Sequence, residues 1–198
     1  MSASGPSLPP AMPQLPQNAR RRLVGWVLER AGWRIEGQFP DLPRLVLVAA
    51  PHSSWWDGVI GLMFKVALGA EVMFIGKREL FRGPLGWLLR RLGGIPVERG
   101  QAQGLVGQMA ERFAGRQPLW LGLAPEGTRR RVAAWKTGFW HIAKAAAVPI
   151  LPVAFDYPTR RIVVGEAFHP GADQAADLAR LRAFYAPFRG RHRGVSGL

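Results

Sequence analysis

The 198-residue chain contains no cysteine. Disulfides, thiolate nucleophiles and cysteine-ligated metals are thereby excluded, and thiol usage says nothing about the redox compartment. Histidine is scarce too. The four copies are scattered, with no H-x-x-x-H or H-E-x-x-H spacing, which argues against a zinc site. Long apolar runs are also missing. No stretch reaches the roughly 18 to 20 uninterrupted apolar residues that a spanning helix needs, and the longest candidate, GVIGLMFKVALGA, carries Lys65 near its middle. Acidic residues are few, 13 against 27 lysines and arginines, so the net charge is +14. That excess predicts attraction to polyanions: nucleic acid, anionic lipid headgroups or phosphorylated substrates. Charge alone does not choose among them, and arginine-rich, alanine- and glycine-rich composition is also what a GC-rich genome produces.

A chain of this length, 48% apolar, can bury one sizeable core but not two separate ones. Residues 1–17 hold five prolines, no charge and no apolar run like that of a signal peptide. They are expected to form a disordered tail outside the fold. Residues 18–34 read as a basic helix: Asn18 is a cap candidate, and Leu23, Trp26, Val27, Ala31 and Trp33 recur at three- and four-residue steps among Arg20, Arg21, Arg22, Arg30 and Arg34. Such a helix suits a lipid interface, and equally an ordinary packed surface. Residues 35–190 are expected to form the folded domain. Residues 191–198 close the chain as a basic tail, solvated or touching lipid phosphates.

Short apolar, β-branched runs at 45–50, 71–76, 94–99, 118–124, 148–155 and 161–168 read as buried strands. Helical patterns lie between or after them at about 57–68, 84–92, 102–114, 135–147 and 173–188. This alternation predicts an α/β fold: a single-domain layered sandwich with a mostly parallel central sheet flanked by helices. Ligands of such sheets sit beyond the carboxyl ends of the strands. His52, Lys77, Arg99 and the stretch Glu126, Gly127, Thr128 and Arg129 all fall at expected strand ends.

His52 and Asp57 stand five residues apart across a strand-to-helix junction. On one continuous helix they would point about 140° apart. If the helix starts between them, Asp57 lies in its first turn and can reach back to one ring nitrogen of His52, leaving the other to take a proton. Ser53 and Ser54 adjoin the pair, but no G-x-S-x-G elbow activates either. The simplest work for the pair is to deprotonate a substrate hydroxyl; a structural histidine satisfies the same pattern. Lys77 and Arg99 offer cations for a phosphate, or are solvated charges. In Ala124-Pro125-Glu126-Gly127-Thr128-Arg129, Gly127 permits close backbone approach, Thr128 offers a hydroxyl, Arg129 a guanidinium, and Glu126 a carboxylate to hold an arginine. A capped turn uses the same residue types. Trp55, Trp56, Trp87, Trp135 and Trp140 divide between core positions and an apolar path or interfacial rim.

Together and in order, these blocks resemble the glycerolipid acyltransferase family to which the 1-acyl-glycerol-3-phosphate acyltransferases belong. H-x-x-x-x-D is present at His52 and Asp57. K-x-E-L, with a glycine-rich strand ending in arginine, is present at Lys77, Glu79, Leu80 and Arg99. P-E-G-T-R runs unbroken from Pro125 to Arg129, and V-P-I-x-P-V covers 148–153, preceded by Lys136 and Gly138. The chain departs from the common pattern at Pro51, Trp55 and Ala124. The resemblance implies transfer of a fatty acyl group from acyl-CoA or acyl carrier protein to a hydroxyl of a lysophospholipid, 1-acyl-glycerol 3-phosphate first, without metal, cofactor or acyl-enzyme. It makes His52 the base and Asp57 its orienter. Arg99, Glu126, Gly127 and Arg129, with Thr128 and Lys77 beside them, become the acceptor's phosphate site. Because such acyl donors are cytosolic and neither an export signal nor a span is visible, peripheral attachment to an anionic membrane surface, on the cytoplasmic side of the cell membrane, is expected. The alternatives are the same chemistry on another lipid hydroxyl, or a non-catalytic basic module binding membrane or nucleic acid. No helix-turn-helix, zinc finger or RNP-like stretch supports nucleic acid.

Overall fold

The apolar runs of the sequence become strands of one sheet in the computed structural model, which describes residues 8–97, 102–115 and 118–194. In chain order the elements are α1 (Ala19–Arg30), β1 (Arg34–Glu36), β2 (Arg44–Ala50), α2 (Trp55–Leu68), β3 (Val72–Lys77), α3 (Gly83–Arg91), β4 (Gly94–Val97), α4 (Ala102–Gly115), β5 (Leu119–Leu123), α5 (Gly138–Ala145), β6 (Ile150–Asp156), β7 (Arg161–Val164) and α6 (Gln174–Tyr185), with a 3-10 turn at Arg78–Phe81. The sheet order is β1-β7-β6-β2-β5-β3-β4. The five strands from β6 to β4 are parallel. β7 turns back antiparallel to β6, and β1 lies parallel to β7 at the edge. The expected α/β sandwich with a mostly parallel sheet is therefore the fold.

Alternation along the central strand builds two cores. Val46, Val48 and Ala50 of β2 face a cluster containing Met109 and Phe113 of α4, Phe139 and Ile142 of α5, and Leu181 and Tyr185 of α6. Leu45, on the opposite face, joins Leu28 of α1 with Ile60 and Phe64 of α2. Helices α1 and α2 thus cover one face, and α4, α5 and α6 the other. Phe81 assigns α3 to the α2 side. Its ring lies where side chains at Gly76 and Gly94 would project, and Phe74 points that way too, whereas Ile75 and Ile95 face the other cluster.

This arrangement creates a crevice. The adjacent strands β2 and β5 lead into helices on opposite faces, α2 and α5, so their carboxyl-terminal loops part at the middle of the sheet. Open α/β sheets bind ligands at such a point.

Three expectations are corrected. Residues 8–17 are not a tail outside the fold. Met12 is buried, the Leu15 amide donates to the Gly69 carbonyl at 2.8 Å, and the Glu71 amide donates to the Pro13 carbonyl at 2.8 Å. A proline-rich stretch without charge needs no helix or strand to cover an apolar edge, since it has few amides to satisfy. The basic helix ends at Arg30 rather than at 34 because Gly32, at φ +77°, turns the chain. Trp33 then enters the core beside Tyr157 and Phe64, and Arg34 begins β1. The end of the chain, expected as a solvated or lipid-touching tail, folds over the crevice through Gly194, as described below.

Candidate active site

Helix α2 starts at Trp55, between His52 and Asp57. Ser54 is its N-cap, with its hydroxyl accepting from the Trp56 amide at 3.2 Å, and Asp57 occupies the third helical position of a capping box. This local structure follows from S-x-x-D, in which serine and carboxylate satisfy the amides that a helix start leaves free. The carboxylate of Asp57 is buried and densely held. Its Oδ2 accepts from the amides of Ser53 and Ser54 at 2.7 and 2.8 Å, and its Oδ1 accepts from the Tyr157 hydroxyl at 2.7 Å. His52 Nδ1 lies 3.4 Å from Oδ2. That is ion-pair distance and slightly long for a hydrogen bond, as catalytic contacts without substrate often are. The imidazole stays partly exposed, 28% of its side chain.

Burial alone would raise the Asp57 pKa. Hydrogen bonds from His52, Tyr157 and the Ser54 amide, with the charge of His52, outweigh it and hold the carboxyl below its ordinary value. Tyr157 moves the other way. Burial, and then the carboxylate it donates to, keep its phenol protonated far above the usual range. Both neighbouring serine hydroxyls have structural partners: Ser54 caps α2, and the Ser53 hydroxyl accepts from the His192 amide at 3.3 Å.

The P-E-G-T-R loop follows β5 and meets His52 across the crevice. Glu126 is fully buried. Its Oε1 accepts from the His52 amide at 3.3 Å, and its Oε2 accepts from Arg193 at 2.8 Å. Its carboxylate therefore holds protein groups, Arg193 among them. Gly127 adopts φ +61°, where a side chain would also run into the methylenes of Lys136 at 2.9 Å. Thr128 accepts from the Arg130 amide at 3.3 Å. Arg129 and Lys136 are exposed. Lys77 lies at the carboxyl end of β3, two strands from β2, exposed and paired with Glu79 at 3.1 Å. Arg99 lies outside the described residues. Among the described residues no group of His, Asp and Glu is placed to hold a metal ion.

Sequence reasoning missed Tyr157 and Arg193. Tyr157 has no signal beyond following an apolar strand. Arg193 sits in FRGRHRG, where glycines between cations permit a tight return, but many solvated tails share that composition.

An imidazole on a buried carboxylate at the carboxyl end of a central parallel strand is an arrangement that could serve as a general base. The profile of the Acyltransferase family matches residues 34–156, and the chain belongs to that family. Relatives named 1-acyl-sn-glycerol-3-phosphate acyltransferase include that of Streptococcus pneumoniae, 28% identical over 64% of this chain and 50% of its own, and that of Escherichia coli, 33% identical over 53% and 51%. The human beta enzyme of that name is 32% identical over 67% of this chain and 51% of its own. The chain thus spans about half the length of the curated relatives it matches. The crystal structure of the 1-acyl-sn-glycerophosphate acyltransferase PlsC from Thermotoga maritima shares the fold, with a TM-score of 0.55 at 18% identity over 85% of this chain and 80% of that one.

Proposed function

We propose that this chain transfers a fatty acyl group from acyl-CoA or acyl carrier protein to the free hydroxyl of a lysophospholipid, with 1-acyl-glycerol 3-phosphate the first acceptor to test. The observation that carries the reading is the His52 imidazole held 3.4 Å from the buried Asp57 carboxylate, in a family whose relatives bear that activity in their names. His52 takes the proton of the acceptor hydroxyl as its oxygen attacks the thioester carbonyl. The tetrahedral intermediate collapses by breaking the carbon–sulfur bond, and the departing thiolate takes the proton back from the imidazolium. Asp57 stabilises that imidazolium and fixes the ring. Exposed Arg129 and Lys136, beside the Gly127 turn, suit the acceptor's phosphate, whereas the Glu126 carboxylate would repel it.

The reading includes attachment to an anionic membrane surface. Among the described residues no helix is long and apolar enough to cross a membrane. Yet Leu23, Trp26 and Val27 of α1, and Leu85, Trp87 and Leu88 of α3, are exposed, and both helices lie on the α2 side of the sheet. Arg20, Arg22 and Arg30 flank the first patch and Arg82, Arg90 and Arg91 the second, all exposed. Apolar residues ringed by arginine suit an anionic interface.

The test is thiol release from palmitoyl-CoA, and from acyl carrier protein, with a panel of lysophospholipids and glycerol 3-phosphate. His52→Ala and Asp57→Asn should each lower turnover on the order of 10²- to 10⁴-fold. Wild-type turnover in either variant would remove the general-base assignment.

A further inference from the structure

We propose that Arg193 is a positioning residue for His52, supplied by the C-terminal hairpin and acting through Glu126; this rests on the acyl-transfer reading for its catalytic consequence. The inference comes from the main chain of His52. Its amide donates to Glu126 Oε1, and its carbonyl lies 3.4 Å from Arg193 Nη2. The same Nη2 donates to Glu126 Oε2 at 2.8 Å. One buried ion pair therefore brackets both polar groups of the base's peptide backbone. Asp57 holds the imidazole, and the Glu126–Arg193 pair holds the backbone from which it extends.

The guanidinium reaches further. Nη2 lies 2.9 Å from the Arg130 carbonyl and 3.3 Å from that of Arg129, and Nη1 donates to the Gly194 carbonyl. Arg193 thus ties the His52 loop to the loop that carries Arg129. Four of these acceptors share the two hydrogens of Nη2 and the fifth is met from Nη1, so lysine, with a single nitrogen, keeps only part of the set. The side chain is 13% exposed, and its partner carboxylate is fully buried. Breaking a buried ion pair by removing one member is strongly disfavoured, so loss of Arg193 should disturb the geometry in which Glu126 meets the His52 amide.

The hairpin is itself built onto the site. Arg189 and Gly194 form an antiparallel bridge, and the Gly190 amide donates to the Arg193 carbonyl at 2.8 Å. The Tyr157 amide donates to the Arg189 carbonyl at 2.9 Å, the His192 amide to the Ser53 hydroxyl, and the Arg191 guanidinium lies over the Trp56 ring. Gly190 is required by closeness, since a Cβ there would stand 2.5 Å from the Ser53 hydroxyl.

Full-length Arg193→Ala and Arg193→Lys answer the question by two readouts. In steady-state kinetics, kcat should fall on the order of 10²-fold for alanine, the scale of a misplacement near 1 Å, and less for lysine, while KM for the acyl donor stays within about twofold. In hydrogen exchange, the His52 amide should lose protection in Arg193→Ala, while those of Ser53 and Ser54, held by Asp57, keep theirs. Should alanine prevent folding, lysine decides by the same readouts. An unchanged kcat, or unchanged exchange at His52, overturns the proposal. A raised acceptor KM at constant kcat also overturns it, making Arg193 a phosphate ligand instead. If the wild type turns over no acceptor, the acyl-transfer reading fails separately, and exchange at His52 still decides whether Arg193 holds that peptide.

Discussion

Asp57 is the residue on which the site's acidity turns. Its carboxyl titrates below the ordinary value in the folded chain, so the unfolded state binds the proton more readily. By linkage, Asp57 contributes stability that is full above the unfolded pKa, about 4, and lost as pH falls through the lower folded value. Tyr157→Phe removes one of the donors responsible. It should cost about 1.5–3 kcal/mol at neutral pH, the range for a hydrogen bond to a charged group, and shift this contribution's acid loss to higher pH. Denaturant unfolding of wild type and variant from pH 7 to pH 3 checks both; parallel curves would show that Tyr157 leaves the Asp57 titration alone. The pairing of His52 with Asp57 was legible in the sequence because the two flank a strand-to-helix junction, where a helix start between them lets the carboxylate reach back. The Arg193–Glu126 contact was not, since it joins residues 67 apart and no local pattern encodes which cation a buried carboxylate will receive.

At the scale of elements, α3 is the most exposed to substitution. Its packing depends on Gly86, where a Cβ would fall 2.1 Å from the Phe81 backbone. Gly86→Ala should therefore destabilise by about 1–3 kcal/mol, read as a drop of about 2–4 °C in Tm per kcal/mol. On the outward side of the same helix, Leu85→Gln or Trp87→Gln should leave Tm unchanged and weaken flotation with anionic vesicles about tenfold each, if those side chains become buried in lipid. For α1 the corresponding substitutions are Leu23→Gln and Trp26→Gln. Deleting residues 1–34 instead would uncover the core, because Met12, Leu28 and Trp33 are buried. Strands and helices of the parallel region fell close to their sequence positions, since continuous β-branched runs and three-to-four periodicity report burial directly. β1 did not: three residues with alternating exposure at a sheet edge leave no run to read, and the apolar rhythm of α1 continues past Gly32 into Trp33.

For the whole molecule, the +14 charge and the two apolar patches predict a two-part response to salt. Raising ionic strength from about 0.1 to 1 M shortens screening from about 10 to 3 Å. Vesicle binding should fall to a residual set by the apolar side chains, and the glutamine variants should abolish that residual. Binding that is fully lost in salt would leave the patches no part in attachment. The Glu126–Arg193 pair also bears on the order in which the chain takes shape. His52 and Arg193 meet across 141 residues, so this contact closes only once both segments have left the ribosome. The His52 loop should therefore gain its last backbone partner only after residue 193 has been made, however early its strand has formed.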